Sequence, residues 1–276
     1  MSTASDDPLA SFYRVLWPAN AAADPRFALF ERDFGGRAVE DVLYERATQA
    51  GIGPDSVVLD VGCGKGRQAC ELAKRFSCRV IAIDPLEHCL RMARERAALE
   101  GVAQSVDFRR GDLEKLPVGD GEVDLVWCLD TFNHARDIAG SFRELARVLE
   151  PRGIVFNCSA LETPALEPRE KAWLCRTLSL HPETLSRGTI EARLASSGLR
   201  VLSSGSTIEM ESMFFERVDD KDFLHIKRLA HMARDERRFV EAFGESDFLI
   251  MKAHALWNAY VLIGKIAYHV WIIGSS

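Results

Sequence analysis

The sequence predicts an α/β fold built on a mostly parallel sheet, and three observations lead to this class. Segments typical of strands and helices alternate between residues 51 and 160, a pattern that favours parallel strands joined by right-handed crossover helices. A glycine-rich loop follows the first of these strands. An apolar segment at residues 266–273 predicts a last strand, which we expect to run antiparallel to its neighbours.

The first strand and its loop, residues 57–66, predict a corner that binds a nucleotide. An apolar run ends in Asp60, and glycines follow at positions 62, 64 and 66. Glycine lets the backbone approach a ligand and turn into a helix without a Cβ clash. A dinucleotide fingerprint would need its third glycine at position 67, which is Arg67. Asp60 would repel a pyrophosphate and attract an ammonium or a sulfonium.

Two further acids follow predicted strands. Residues 78–84 predict a second strand that ends in Asp84, near the spacing at which an acid meets ribose hydroxyls in such folds. Because Pro85 comes next, Asp84 could equally cap a helix. Residues 106–110 predict a third strand followed by a Gly-Asp turn. Asp112 could contact a ligand there, or it could only cap the turn. A fourth strand is predicted before His134, then a helix at 136–149 and a strand at 154–158.

These motifs resemble those of the class I S-adenosylmethionine (SAM)-dependent methyltransferases, and the resemblance covers residues 50–160. It is nearest to the small-molecule enzymes of ubiquinone, menaquinone and secondary-metabolite biosynthesis. The resemblance implies a Rossmann-like sheet of seven strands, mostly parallel with an antiparallel last strand, helices on both faces and a helical substrate lid. It implies SAM as the cofactor, with Asp84 on the ribose, Asp112 on the adenine amine and Leu113 on the ring. The implied cofactor-binding residues are Asp60, Gly62, Cys63, Gly64, Gly66, Arg67, Asp84, Pro85, Asp112, Leu113, Cys128 and Leu129.

The chain divides into three predicted parts. Residues 1–50 form an N-terminal helical cap, residues 51–160 the SAM-binding core, and residues 161–276 the rest of the sheet with helical lid insertions. The lid is rich in methionine and aromatic residues, which suit an apolar acceptor pocket, although each of them singly would serve as well in helix packing. These residues are Trp173, Met210, Met213, Phe214, Phe215, Phe223, Met232 and Phe239.

The catalytic candidates follow the fourth strand. Methyl transfer from a sulfonium needs proximity and a water-poor site, and it needs a base only if the acceptor is protonated. His134 is the first candidate for that base because an imidazole titrates near neutral pH; a backbone hydrogen bond is its equal alternative. Asp130 and Asn133 are candidates for orienting the acceptor. No metal site is predicted for the main hypothesis.

The composition of the chain indicates which binding partners and which cellular location to expect. The chain has 276 residues, 47% of them hydrophobic, with a net charge of −6, which argues against a nucleic-acid partner. Neither a signal peptide nor an apolar run long enough for membrane insertion is predicted. Seven scattered cysteines without a C-x-x-C pair indicate reduced thiols in a cytoplasmic protein. The expected partners are a small-molecule acceptor and, at most, a second copy of the chain in a homodimer.

The sequence therefore predicts SAM-dependent O-, N- or C-methylation of a small, apolar metabolite, as in secondary metabolism. Two alternatives stay open. One is C-methylation of a prenyl diphosphate with Mg²⁺ held by Asp219, Asp220 and Asp222, acids that could instead begin a surface helix. The other is a protein of the same fold that binds SAM without methylating.

Overall fold

The computed structural model describes the backbone of residues 39–206 and 220–275, and the side chains of residues 41–205 and 225–275. Most of the predicted N-terminal cap and four of the lid residues, Met210, Met213, Phe214 and Phe215, lie outside the described residues. The same holds for Asp219 and for the side chains of Asp220, Asp222 and Phe223.

Seven strands of the described chain form one sheet in the order β3-β2-β1-β4-β5-β7-β6. The pairs that join β1 to β5 are parallel, and β7 runs antiparallel to both β5 and β6. The predicted sheet, mostly parallel with an antiparallel last strand, is confirmed. The strands are β1 (Val57–Val61), β2 (Arg79–Asp84), β3 (Val106–Arg110), β4 (Val123–Leu129), β5 (Leu149–Glu162), β6 (Leu199–Ser206) and β7 (Ile266–Ser275).

Helices connect these strands and cover both faces of the sheet. Short 3₁₀ segments at Phe132–His134 and Pro182–Leu185 complete the described elements. The helices are α1 (Val39–Gln49), α2 (Arg67–Phe76), α3 (Glu87–Leu99), α4 (Ile138–Val148), α5 (Pro168–Leu178), α6 (Arg187–Ala195), α7 (Asp220–Arg234), α8 (Glu236–Phe243) and α9 (Glu245–Leu262).

Two apolar cores, one on each face, follow from the alternation of side chains along the strands. In β1, Val58 belongs to the core that includes buried residues of α1, α2 and α3. Leu59 and Val61 belong to the opposite core, which includes buried residues of α4 and α6. The strand order reverses between β1 and β4, and in open sheets of this kind ligands bind at the carboxyl ends of the strands at such a point.

Two element boundaries differ from prediction. The sequence pattern of residues 221–243 predicts a single helix. The structure has two helices there, because Asp235 leaves the helical conformation and its side chain accepts from the Arg238 amide to cap α8. The helix that the sequence predicts at residues 87–99 is confirmed, and because its N-cap is Leu86, the alternative role of Asp84 as its cap is wrong. The fifth strand is longer than residues 154–158, since β5 pairs with β4 on one side and β7 on the other.

The lid helices α7, α8 and α9 pack together around Met232, Phe248 and Ala255. A second apolar cluster joins α5, α9 and the start of β7. Lys265 and Glu170 strengthen this joint, with Nζ at 2.6 and 2.7 Å from the two carboxylate oxygens. Only residues 263–265 separate α9 from β7. In the part of the chain that the structure describes, no helix is long and apolar enough to cross a membrane.

Candidate active site

The glycine loop after β1 has a backbone that other residues would strain. Gly62, Gly64 and Gly66 have φ angles of 76°, 51° and 73°, in the left-handed region that favours glycine. A Cβ on Gly62 would collide with the side chain of Thr131, and a Cβ on Gly66 would lie 2.8 Å from Ala93 Cβ. Glycine is therefore required at positions 62 and 66 for close packing as well as for conformation.

Asp84 joins the loop to the end of β2. Its buried carboxylate accepts from the Gly64 amide through Oδ2 at 3.0 Å and from the Leu86 amide through Oδ1 at 2.9 Å. Each carboxylate oxygen can accept a further hydrogen bond, so a diol can still be bound here. Leu86 is 51% exposed beside this carboxylate, an apolar neighbour that no sequence motif marks.

Asp60 is the buried acid at the start of the loop. Burial raises the pKa of this carboxyl to about 7, with the charge of Asp84 adding to the effect; a backbone hydrogen bond with Ala69 and the charge of Arg67 oppose it. Its Oδ2 atom has no hydrogen-bond partner among the described residues. Because buried polar atoms are rarely left unpaired, this oxygen marks a position for a donor group of a ligand, and a cationic donor suits it best.

The other predicted cofactor residues surround the same sheet edge. Asp112 is exposed, and its Oδ1 accepts from the amides of Glu114 and Lys115, each at 3.0 Å. Leu113 is buried, so little of its side chain is left for a ring. Burial raises the pKa of the thiols of Cys63 and Cys128, which makes both poor nucleophiles. Arg67 and Pro85 are exposed, and Leu129 is partly buried at the end of β4.

A cavity of about 280 Å³ opens next to the loop. Thr131 lies between the two regions: it follows the cavity residue Asp130 in the chain, its side chain fills the space next to Gly62, and its hydroxyl donates to the Val61 carbonyl at 3.1 Å. We call this space the acceptor cavity. Its walls come from the residues after β4, the end of α5, α9 and β7, and they are Asp130, Asn133, His134, Leu178, Leu180, His254, Trp257, Asn258 and Tyr268.

Asp130 has an unusual backbone and an unusual acidity. Its φ of 57° lies in the left-handed region, where non-glycine residues are uncommon and are enriched at functional sites. The carboxylate is open to the cavity but enclosed by protein, and this desolvation raises the pKa of Asp130 to about 6. A hydrogen bond with Tyr268 and the charge of His134 oppose the rise. Asp130 can therefore change its charge near neutral pH.

His134 makes the backbone hydrogen bond that the sequence left open as one of its two roles. Its Nδ1 lies 3.1 Å from the Ser179 carbonyl oxygen. A carbonyl only accepts, so Nδ1 carries the hydrogen, and Nε2 holds the lone pair of the neutral ring. The backbone hydrogen bond thus fixes the ring and leaves the Nε2 lone pair available; that His134 acts as a base stays a prediction.

Asn133 is buried, and its amide is engaged on both sides. Nδ2 donates to the carbonyls of Ala160 at 2.9 Å and Thr184 at 3.2 Å, and Oδ1 accepts from the Ala160 amide at 3.0 Å. These bonds tie the segment after β4 to β5 and to Pro182–Leu185. That Asn133 orients the acceptor stays a prediction, and its amide hydrogens are already used in holding the cavity floor.

Tyr268, Trp257, His254 and Asn258 line the cavity but were not predicted from the sequence. They lie on α9 and β7, more than a hundred residues after the glycine loop, where no local motif surrounds them. The one available signal was a phenol within the otherwise apolar start of β7.

Comparisons with known proteins show which proteins this chain resembles. A family model described as a methyltransferase domain matches residues 59–157. Methyltransferase GfsG of Streptomyces halstedii is 34% identical over 137 residues, which cover 50% of this chain and 46% of that protein. The glycine/sarcosine/dimethylglycine N-methyltransferase of Actinopolyspora halophila is 26% identical over 242 residues, covering 84% of this chain and 42% of that protein. The chain thus spans less than half the length of these two relatives.

A solved structure shares this fold. The [4+2]-cyclase SpnF has a TM-score of 0.67 at 16% identity, with 100% of this chain and 98% of that chain covered. The residues present fit SAM, the cofactor that the resemblance implies: Gly62, Gly64 and Gly66 have positive φ angles that let the backbone of the loop approach a ligand, and the unpaired Asp60 oxygen suits an ammonium. Residues 59–157 of this chain therefore match the methyltransferase-domain family.

Proposed function

We propose that this chain transfers a methyl group from SAM to a hydroxyl or amine of a small, largely apolar molecule held in the acceptor cavity. The observation that carries the proposal is the pair of Asp130 and Tyr268 in that cavity. A left-handed aspartate with a pKa near 6, held by a phenol next to the cofactor loop, suits proton handling better than packing.

The residues of the loop and of the neighbouring strands would hold the cofactor. Asp60 would accept from the ammonium, Asp84 from the ribose hydroxyls and Asp112 from the adenine amine. When bound, SAM supplies a methyl group that its sulfonium has already activated. The protein's task is then to align the acceptor and exclude water, for which Leu178, Leu180 and Trp257 provide apolar walls.

A protic acceptor must lose its proton as the new bond forms. We assign this proton to Nε2 of His134, which the hydrogen bond at Nδ1 leaves as the basic nitrogen. The carboxylate of Asp130 stabilises the imidazolium that results, since the charges of the two groups interact. Tyr268 is a positioning residue that holds the Asp130 carboxylate.

The test has two stages. Calorimetry of the purified chain with SAM and with S-adenosylhomocysteine is expected to show micromolar binding. Incubation with SAM and a panel of phenols and amines is then expected to give S-adenosylhomocysteine and a product 14 mass units heavier. SAM binding without turnover across the panel and without methylated product in a host extract would favour the non-methylating alternative. Absence of SAM binding to folded, ligand-free protein would overturn the cofactor assignment as well.

C-methylation of a prenyl diphosphate with Mg²⁺ stays a second prediction. Its acids, Asp219, Asp220 and Asp222, lie where the structure describes no side chains. Turnover of geranyl diphosphate that depends on Mg²⁺ would support it over the protic acceptor.

A further inference from the structure

A second space, distinct from the acceptor cavity, lies within the lid. It measures about 440 Å³, within the range of about 300–1,000 Å³ usual for ligand pockets. We call it the lid cavity. A neighbouring space of about 430 Å³ shares His231, Phe239 and Phe243 with it. The apolar wall of the lid cavity comes from α7, α8 and α9 and consists of Met232, Phe239, Phe243, Met251 and Ala255.

Three arginines stand on the rim of these spaces. Arg228 lines the lid cavity, and Arg234 and Arg238 line its neighbour. Among the described residues, none of the three forms an ion pair, although Arg237 on the same helix as Arg238 pairs with Glu241 at 2.7 Å.

The acids near this rim do not cancel its charge. Asp235 is the one acidic residue among the described lining residues, and its Oδ1 accepts from the Arg238 amide to cap α8. Lys252, on α9, is already matched by Glu236 at 3.1 Å. The described lining therefore keeps a surplus of positive charge, which attracts an anion.

The lid cavity meets the acceptor cavity at one side chain. His254 lines both spaces. Burial lowers the pKa of His254, and the charge of Arg228 adds to this effect, which places the Arg228 guanidinium close to the junction. A ligand in the lid cavity can thus lie against the imidazole that also borders the methylation site.

We infer that the lid cavity binds an apolar chain that ends in an anionic group, a carboxylate or a phosphate, which the rim arginines hold. The inference rests on the proposed function in one respect: the bound molecule is then the distal part of the methyl acceptor. Binding itself requires neither SAM nor turnover, so it is measured separately.

Calorimetry of the full chain without SAM tests the inference with octanol, octanoate and octyl phosphate as probes. Both anions are expected to bind at least tenfold more tightly than the alcohol, because a charge-assisted hydrogen bond contributes about that factor. Arg228→Gln and Arg238→Gln are each expected to weaken anion binding by about tenfold and to leave octanol binding unchanged. The relative affinity of the two anions identifies the preferred head group.

Arg237→Gln is the matched control, since it removes a cation from the same helix that already has a carboxylate partner. The three substituted residues, Arg228, Arg237 and Arg238, are exposed, so we expect the variants to fold, which circular dichroism verifies. Equal affinity for the alcohol and the anions, or equal weakening by Arg237→Gln, would overturn the inference. So would the absence of binding by all three probes. A chain that binds the anions but never methylates would contradict only the proposed function.

Discussion

Tyr268, the third residue of β7, donates its hydroxyl to the carboxylate of Asp130, the residue that follows β4. The phenol also has a hydrogen bond with Trp257 of α9. An indole N–H can only donate, so Trp257 donates to the phenol oxygen and leaves the phenol hydrogen for Asp130. The orientation of Asp130 therefore depends on the lid helix as well as on the sheet.

Tyr268→Phe is expected to lower kcat by up to about 100-fold, the scale of effect that misplaced reacting groups produce. SAM affinity should stay unchanged, because Tyr268 does not lie in the glycine loop. The variant also removes a bond that lowers the pKa of Asp130, so the acid limb of the rate profile should move upward from about pH 6. Tyr260→Phe is the matched control, since that phenol bonds to Glu170 instead. An unmoved acid limb would show that Tyr268 does not act through Asp130.

His134→Ala is expected to lower kcat by about 10²–10⁴-fold, the usual contribution of a general base, with little change in SAM affinity. His134→Gln separates catalysis from structure. A glutamine amide can still donate to the Ser179 carbonyl but cannot accept a proton at neutral pH. If the steady-state rate on a hydroxyl acceptor recovers in the glutamine variant, His134 is a structural residue and not the base.

SAM affinity is expected to weaken as the pH falls from 7.5 to 5.5. Asp60 has a pKa near 7 in the unliganded chain, and protonation removes the charge that attracts the ammonium. The limiting dependence is about tenfold per pH unit for one linked proton. Asp60→Asn should bind weakly at every pH in this range. Calorimetry in buffers of different ionisation enthalpy should also detect proton release on binding near pH 7; the same release from the asparagine variant would exclude Asp60 as its source.

The unliganded chain is expected to become more stable through the same residue as the pH falls. The pKa of Asp60 rises from 3.8 to about 7 on folding, so the folded state binds this proton more tightly. Its contribution to the free energy of unfolding is flat above pH 7. It grows by about 1.4 kcal/mol per pH unit between pH 7 and 4, and is flat again below pH 4. Urea unfolding of the natural chain and of Asp60→Asn isolates this effect, and a constant difference between pH 8 and 5 would contradict it.

Gly62→Ala is expected to reduce SAM affinity by more than tenfold. The added Cβ would strain a φ of 76° and displace the side chain of Thr131. Gly101→Ala is the matched control, because Gly101 has a φ of 75° but a Cβ added there would meet no atom within 4 Å. Both variants lose stability from backbone strain, about 1 kcal/mol. Equal SAM affinity of the two would show that the contact with Thr131 is unimportant for binding.

The candidate cofactor residues could be proposed from the sequence because they lie within short motifs. Asp60 and Asp84 each end a strand whose apolar pattern is clear, and parallel strands bring such ends together. The acceptor half was only partly predictable. Asp130 and His134 follow the fourth strand directly, but Tyr268 reaches them through the pairing of β5 with β7, which depends on residues over a hundred positions apart.

Sequence patterns also gave wrong or incomplete predictions where the hydrogen bonds of a single side chain determine the local structure. The apolar periodicity continues through residues 221–243, yet Asp235 ends one helix and caps the next. Asn133 has the chemistry of a substrate-binding residue, and only the structure shows its amide bonded to Ala160 and Thr184. A side chain such as that of Asp235 or Asn133 can either continue the local pattern or bond to the backbone. Tertiary packing decides between the two, and the sequence pattern alone carries no information about that packing.

The short connection between α9 and β7 has a consequence for how this enzyme class can diversify. His254, Trp257, Asn258 and Tyr268 occupy one stretch of fifteen residues, 254–268, whereas every predicted cofactor residue lies between Asp60 and Leu129. One continuous segment, residues 254–268, therefore carries much of the wall of the acceptor cavity. Exchange of this segment alone would give a chimera with a new acceptor site and unchanged cofactor residues.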